Sequence, residues 1–384
     1  MNRSNFQHPT SNFQPPLVAT KRILVVLPNW FGETLFTTPF FNALRQRRPD
    51  AFIAALGWPQ CHDILRYNPH IDELLEYDER GAHRGLGGAW RLITLLRRSQ
   101  FETALILRRS LSRTCWLWLA GIPQRIGFAN RKSGWLLSHS VPRPSTRQHK
   151  AFSYLPLLDG LESRATSDDL AAVPSNGAAD AMNRCEYVVT EPERNAARQW
   201  LRAQGVDLDR LLVILHPGAN WPHKRWAPAS FADIGDQLMQ THAAQVVITG
   251  GPDDVALAAS IQRQMRHPAI VVAGRTTLRQ LGACLPDARL VISNDTGVLH
   301  LAAALGRPLV ALYGPTSPTL TGPLGDPHHM AVLHHPDCCP RVPCFEPEHP
   351  PHPGMASITV EEVYNAAIAL LEVGSRKLEV GTTP

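Results

Sequence analysis

Residues Val291 to Tyr313 read VISNDTGVLHLAAALGRPLVALY, and their pattern decides the fold. Val291 and Ile292 end a buried strand, and Asn294, Asp295, Thr296 and Gly297 make a turn. Leu299, Ala302, Ala303 and Leu305 then recur at helical spacing. Gly306 stands where a helix stops, and Pro308 opens a second apolar strand. Strand, turn, helix and strand make one unit of a doubly wound α/β sheet. The turn carries the chemistry. A helix N-terminus offers unsatisfied N–H groups and the positive end of a dipole, which suits a phosphate. Gly297 removes a side chain from that approach, Thr296 adds a hydroxyl, and His300 lies one turn further on the same face. Asp295 either caps the helix or accepts from a sugar hydroxyl.

The same unit recurs upstream. Thr190, Glu191, Pro192 and Glu193 form a capping box for a helix that runs to Gln204 and stops at Gly205. Leu211 to Leu215 is a buried strand, followed by HPGANWPHKRW. Gly218, Asn220 and Lys224 stand in this loop, and Lys224 is a flexible cation suited to a phosphate. Gln245 to Thr249 is the next strand. After it, GGPDD places Asp253 and Asp254 where they cap a helix or hold ribose hydroxyls. The loop is not GxGxxG, so no dinucleotide fingerprint is present. Strand Ile270–Val272 and helix Leu278–Leu285 lead back to the opening stretch. This half is a doubly wound domain with three ligand loops at one edge of its sheet.

The first half repeats the theme. Ile23 to Leu27 is a continuous apolar run of the buried parallel type. Gly32 then makes a tight turn and Glu33 follows at a helix start, at the carboxyl end of the sheet where ligands bind. As a carboxylate, Glu33 is able to accept a proton from a hydroxyl. Strands are expected at 52–56, 74–77 and 104–107, and helices at 59–67, 89–98 and 150–161. Arg108, Arg109, Arg113 and Arg125, with Arg131 and Lys132 beyond them, form a basic cluster suited to an acidic acceptor.

The chain has 384 residues, 44% of them hydrophobic, enough for two cores. No run approaches the roughly 18 apolar residues of a membrane span. Residues 1–20 lack the apolar core of a signal peptide and are expected to be a disordered tail. Seven cysteines without regular spacing suit a reducing cytoplasm. Residues 1–150 carry 21 Lys and Arg against 9 Asp and Glu, while residues 151–384 carry 17 against 24. The basic first half implies an anionic partner, and no nucleic-acid motif is present. The domains read as 21–165, a linker at 166–185, 186–355, and a final helix at 356–375. Leu320 to Gly354 reads as irregular. Its Cys338, Cys339, Cys344, His349 and His352 do not match a CxxC pair, so no metal is expected.

Four stretches together resemble glycosyltransferase family 9, the ADP-heptose:lipopolysaccharide heptosyltransferases, over residues 21–373. NWFGETLFTTP is similar to the family's first loop, and HPGANWPHKRW to its donor-phosphate loop. SNDTGVLHLAAALGRPLVALYGPT matches the D-T-G-x-x-H-x-A motif, and the segment ending in HPGM resembles a Cys-containing loop. The resemblance implies a GT-B fold: two Rossmann-like domains facing a cleft, with the final helix returning to the first. It implies an inverting, metal-independent transfer from ADP-heptose to an anionic glycolipid at the inner membrane face, with no cofactor. Glu33 would be the general base and Lys224 would neutralise diphosphate charge. Thr296, Gly297 and His300 would bind the donor, and Asp295 would hold donor hydroxyls or shape the loop. The reading of the loops themselves adds Gly218, Asn220, Asp253 and Asp254 to the donor side and Arg108, Arg109, Arg113 and Arg125 to the acceptor side. Two residues depart from the pattern. Glu33 stands where the family usually has Asp, and Gly354 where relatives often have Cys. The alternatives are a different nucleotide-sugar donor, or a nucleotide-sugar-binding protein without turnover.

Overall fold

The computed structural model describes residues 21–143, 148–162, 184–339, 342–344 and 352–380. The expected tail, and the expected linker as far as residue 183, lie outside them. The first half alternates strand and helix. β1 (Arg22–Val26) leads into α1 (Phe31–Leu35) and α2 (Thr38–Arg47), then come β2 (Phe52–Gly57), α3 (Pro59–Leu65), β3 (Glu73–Glu76) and α4 (Gly85–Arg98). β4 (Thr103–Ile106), α5 (Leu111–Leu119), β5 (Gln124–Phe128), β6 (His139–Val141) and α6 (Pro156–Glu162) complete it. The six strands are parallel in the order β3-β2-β1-β4-β5-β6.

The second half repeats the order. α7 (Glu191–Ala203) precedes β7 (Leu212–His216), α8 (Pro228–His242), β8 (Gln245–Ile248), α9 (Val255–Gln264), β9 (Ile270–Val271) and α10 (Leu278–Cys284). β10 (Leu290–Asn294), α11 (Gly297–Ala304), β11 (Leu309–Tyr313), α12 (Pro318–Thr321), β12 (Met330–His334), α13 (Pro353–Ala356) and α14 (Val360–Val380) follow. This sheet runs β12-β11-β10-β7-β8-β9, again all parallel. Numbered from its own first strand, each sheet has the order 3-2-1-4-5-6. The order reverses between β1 and β4 in one sheet and between β7 and β10 in the other. Loops diverge at such points and leave a crevice at the carboxyl ends of the strands.

Several expectations change. Gly32 makes no turn: it lies inside α1. Pro39 sits in the first turn of α2, where its missing N–H leaves no helical bond unmade. The expected helix at 150–161 is a turn, a short 3-10 helix at Phe152–Tyr154 and then the shorter α6. The segment 320–354 contains a strand, β12, paired along β11. The described contacts of the final helix are with the second half. Its buried Val363, Ala367, Leu370 and Leu371 pack with Phe231, Val310 and Leu312 of the second. Tyr364 reaches Thr241 at the end of α8, with its hydroxyl donating over 3.2 Å. The apolar stripe of α14 therefore closes a face of the second sheet.

One apolar cluster joins the halves. It contains Phe36, Phe40 and Leu44 from the first and Val298, Leu299, Leu301 and Tyr313 from the second. Among the described residues no helix is long and apolar enough to cross a membrane.

Candidate active site

At the first crevice, β1 ends at Val26 and α1 begins five residues later. Glu33 is in the first turn of α1, where the helix dipole favours its anion. Its carboxylate accepts from the Lys150 ammonium and is about one-third exposed. Lys150 follows His149, and both are tied to the opposite half. The Lys150 N–H donates to Leu320 O over 2.9 Å, and His149 Nε2 lies 3.1 Å from Gly322 O. Burial holds the His149 pKa below its usual 6.5.

At the second crevice Asp295 directly follows β10 and is buried. Its Oδ2 accepts from Lys224 Nζ over 2.6 Å and from the Thr316 hydroxyl over 2.7 Å, and its Oδ1 lies 3.7 Å from His300 Nε2. Burial alone would raise this carboxyl's pKa, but the His300 and Lys224 contacts outweigh it and hold the group well below the usual range. Asp295 thus fixes the Lys224 ammonium beside the N-terminus of α11, with the Trp221 ring 5.4 Å from Nζ. Asn294 locks the loops that bring Lys224 there. Its Oδ1 accepts from Trp226 N over 3.2 Å, and its Nδ2 donates to Pro217 O over 2.8 Å. His216 ends β7 beneath them, with Nδ1 2.9 Å from the Thr249 hydroxyl. Burial depresses its pKa from 6.5 to about 4, so it is neutral in the fold.

The two crevices meet. Phe36, just past α1, packs edge-on against His300 with ring centroids 4.8 Å apart and against His149 at 5.3 Å. Phe31 covers Gly297: a Cβ there would fall 1.5 Å from Phe31 Cε2. The site joins a carboxylate on one wall to a fixed ammonium and a helix N-terminus on the other. That set suits removal of a hydroxyl proton at one wall and stabilisation of a leaving diphosphate at the other.

The expected residues divide. Thr296 is the half-buried N-cap of α11, 3.3 Å from the Ser293 hydroxyl. Arg108 and Arg109 stand at the carboxyl end of β4, with Arg109 exposed. Asn220 and Asp253 are exposed on the β7 and β8 loops. Gly297 gives up its side chain to the Phe31 ring, not to an open approach. Gly218 does so to Asp254, whose Oδ2 would lie 2.3 Å from a Cβ. Asp254 itself accepts from Arg225 over 3.1 Å and from Gly251 N over 3.0 Å, so it clamps two loops together.

Two arginines are corrected. Arg113 is buried, with its guanidinium donating to Leu27 O and Asn29 Oδ1, so it braces the loop before Glu33. Arg125 lies at the N-terminal end of β5, away from the crevice, and donates to the carbonyls of Ile122, Pro123 and Leu136. The basic residues at the carboxyl ends of β5 and β6 are Arg131 and Arg143, which line an open depression of about 530 Å³ with Asn130 and Ser140. Lys150, Thr316 and Phe31 were not singled out from the sequence. Their partners are 21 to 266 positions away, beyond the reach of any local pattern.

Two doubly wound sheets facing one cleft make this a GT-B fold, the architecture of many glycosyltransferases. A sequence model described as glycosyltransferase family 9 (heptosyltransferase) matches residues 89–349. The chain belongs to glycosyltransferase family 9 and is a glycosyltransferase. It is 27% identical over 318 residues to lipopolysaccharide heptosyltransferase 2 of Escherichia coli K12, covering 81% of this chain and 87% of that one. With lipopolysaccharide heptosyltransferase 3 of the same strain it shares 30% identity over 296 residues, covering 75% and 80%. Among solved structures, a family 9 glycosyltransferase from Veillonella parvula superposes with a TM-score of 0.77 at 25% identity, covering 92% of this chain and 97% of that one. The E. coli ADP-heptose lps heptosyltransferase II structure superposes at 0.74 and 25%, covering 92% and 99%.

Proposed function

We propose that this enzyme moves a heptose from ADP-heptose to a hydroxyl of a lipopolysaccharide inner-core acceptor, in one inverting displacement that needs no metal at the reacting atoms. The observation that carries the reading is the pairing of the Glu33 carboxylate on one wall with the Lys224–Asp295 cradle on the other. The acceptor oxygen attacks the anomeric carbon and its proton passes to Glu33. The bond from that carbon to the diphosphate oxygen breaks, and the departing ADP keeps the electron pair. Lys224 and the N–H groups at the start of α11 meet the charge that develops there. Lys150 orients Glu33. The names of the relatives support the donor and acceptor. Arg108, Arg109, Arg131 and Arg143 would receive an anionic acceptor at the carboxyl edge of the first sheet. That half also presents Leu86 and Trp90 of α4 and Leu111 and Trp118 of α5 to solvent, among exposed arginines, which supports peripheral contact with an anionic membrane face.

The test is ADP release with ADP-heptose and heptose-deficient core glycolipids, with the product anomer read by NMR. Glu33→Gln is expected to lower kcat by about 10²- to 10⁴-fold while the donor still binds. No transfer by the wild-type protein to any core acceptor, or full activity in Glu33→Gln, would overturn the reading. Donor binding without turnover would leave a nucleotide-sugar-binding protein.

A further inference from the structure

The segment between β12 and α13 brings together groups that the transfer reaction does not use. Sulfur atoms of Cys339 and Cys344 and a ring nitrogen of His352 all lie within 4.8 Å of one another. Cys344 and His352 are buried and Cys339 is half-buried. The spacing is Cys-x4-Cys-x7-His, which no CxxC pattern would have found. A tetrahedral zinc with bonds of about 2.3 Å to sulfur and 2.0 Å to nitrogen has ligand atoms roughly 3.5–3.8 Å apart, so these donors stand about an ångström from a ligand set. Two thiols and an imidazole exclude magnesium and calcium, which take oxygen ligands, and favour a borderline divalent ion.

We propose that Cys339, Cys344 and His352 bind a zinc-class divalent ion whose role is structural. A fourth position remains for water or another donor. Binding replaces the thiol protons, which pass to solvent. It also changes one local bond. His352 Nδ1 accepts from Gly354 N over 3.2 Å, and neutral imidazole has one lone pair, so metal ligation takes that acceptor's place.

The site's position gives the ion a purpose. Cys344 N donates to Pro315 O over 2.7 Å, and the next residue, Thr316, donates its hydroxyl to Asp295. Met355, in α13 just past His352, packs over Gly314 in the same loop. An ion here would staple the Cys loop against the wall that holds Asp295 and, through it, Lys224.

The experiment uses the full chain, purified under reducing conditions without chelator. Its metal content is measured by inductively coupled plasma mass spectrometry, and the stripped protein is then titrated with Co²⁺. Stoichiometric zinc and a thiolate-to-cobalt charge-transfer band with tetrahedral d–d bands are expected. Cys344→Ser and Cys339→Ser should each abolish that band, while Cys115→Ser keeps it. Cys339 is only half-buried, so its variant reads the site even where Cys344→Ser fails to fold. Folded wild-type protein that takes up neither zinc nor Co²⁺, or an intramolecular Cys339–Cys344 disulfide in freshly reduced and aerobically handled protein that excludes metal, would overturn the proposal. Because the readouts are metal content and absorption, they are independent of whether ADP-heptose is the donor.

Discussion

Glu33 and Lys150 are 117 positions apart in the chain, yet their side chains meet because the turn at Lys150 is fastened to the opposite half. In Lys150→Met the carboxylate loses its partner and its fixed direction, and a misplacement of about an ångström costs up to roughly a hundredfold in rate. Steady-state kinetics should show kcat falling by about ten- to a hundredfold with the donor KM unchanged, and partial recovery in Lys150→Arg. An unchanged or higher kcat would remove Lys150 from the mechanism. His216 allows a test of pH dependence. Its pKa is depressed in the fold from 6.5 to about 4, so the unfolded chain binds a proton that the native protein refuses. Its contribution is therefore complete above pH 6.5 and lost as the pH falls toward 4, at about 1.4 kcal/mol per pH unit. In His216→Asn, which keeps a polar atom for Thr249, that slope disappears. Urea titrations between pH 7.5 and 5 should show the stability gap between wild type and variant closing as the pH falls, and parallel curves would refute it. At this scale the sequence showed what one loop carries by itself: Asp295, Thr296 and His300 in one run, Lys224 in another. It did not show Thr316 or Lys150, whose roles come from tertiary contacts. It mistook Arg113 and Arg125 for presented cations because charge alone does not say which end of a strand, or which depth, a residue takes.

Helices and strands were legible where apolar runs are continuous, as in Ile23–Leu27, Leu212–Leu215 and Leu309–Tyr313. β5 reads QRIGF and β6 only HSV, so neither has a run to find, and β12 is a half-exposed strand at the edge of its sheet. Packing, not pattern, makes them strands. The contact between α1 and α11 is the clearest product of packing, and it reassigns Gly297. In Gly297→Ala the new methyl collides with the Phe31 ring, and overpacking of this kind costs about 1–3 kcal/mol. Phe31→Ala clears the space, so the double variant should be more stable than the sum of the single changes predicts. Thermal melts of the four proteins measure the coupling, and additive effects would return Gly297 to a phosphate role. The outward stripes of α4 and α5 make a second element-scale prediction. Trp90→Ser with Trp118→Ser should reduce sedimentation with anionic vesicles while leaving transfer to a detergent-dispersed acceptor intact. Equal sedimentation of wild type and variant would end the membrane reading.

Chains with two sheets often melt in two steps, because each sheet has its own core. Here the largest apolar cluster draws on both. Phe36 lies between His149 and His300, Phe31 lies on Gly297, and the turn at Lys150 bonds to Leu320 and Gly322. A second set of ties stands apart from the cleft. Glu186 accepts from Asn42 over 3.1 Å and from Asn68 over 3.3 Å, and Arg279 donates to Asp63 O over 3.3 Å while paired to Glu193 at 2.6 Å. Unfolding one half would expose the other half's share of the cluster and strand buried polar groups of the second set. The halves should therefore unfold together, in one calorimetric transition whose measured and van't Hoff enthalpies agree. Phe36→Ala removes the ring at the centre of the join, at a cost of about 3–5 kcal/mol for a buried Phe of this kind. That loss falls on the coupling between halves more than on either sheet, so the variant's endotherm should broaden or split while each sheet keeps its secondary structure by circular dichroism. Two resolved transitions in the wild-type protein would mean that the shared cluster does not couple the halves, and the cleft would then be free to open without disturbing either core.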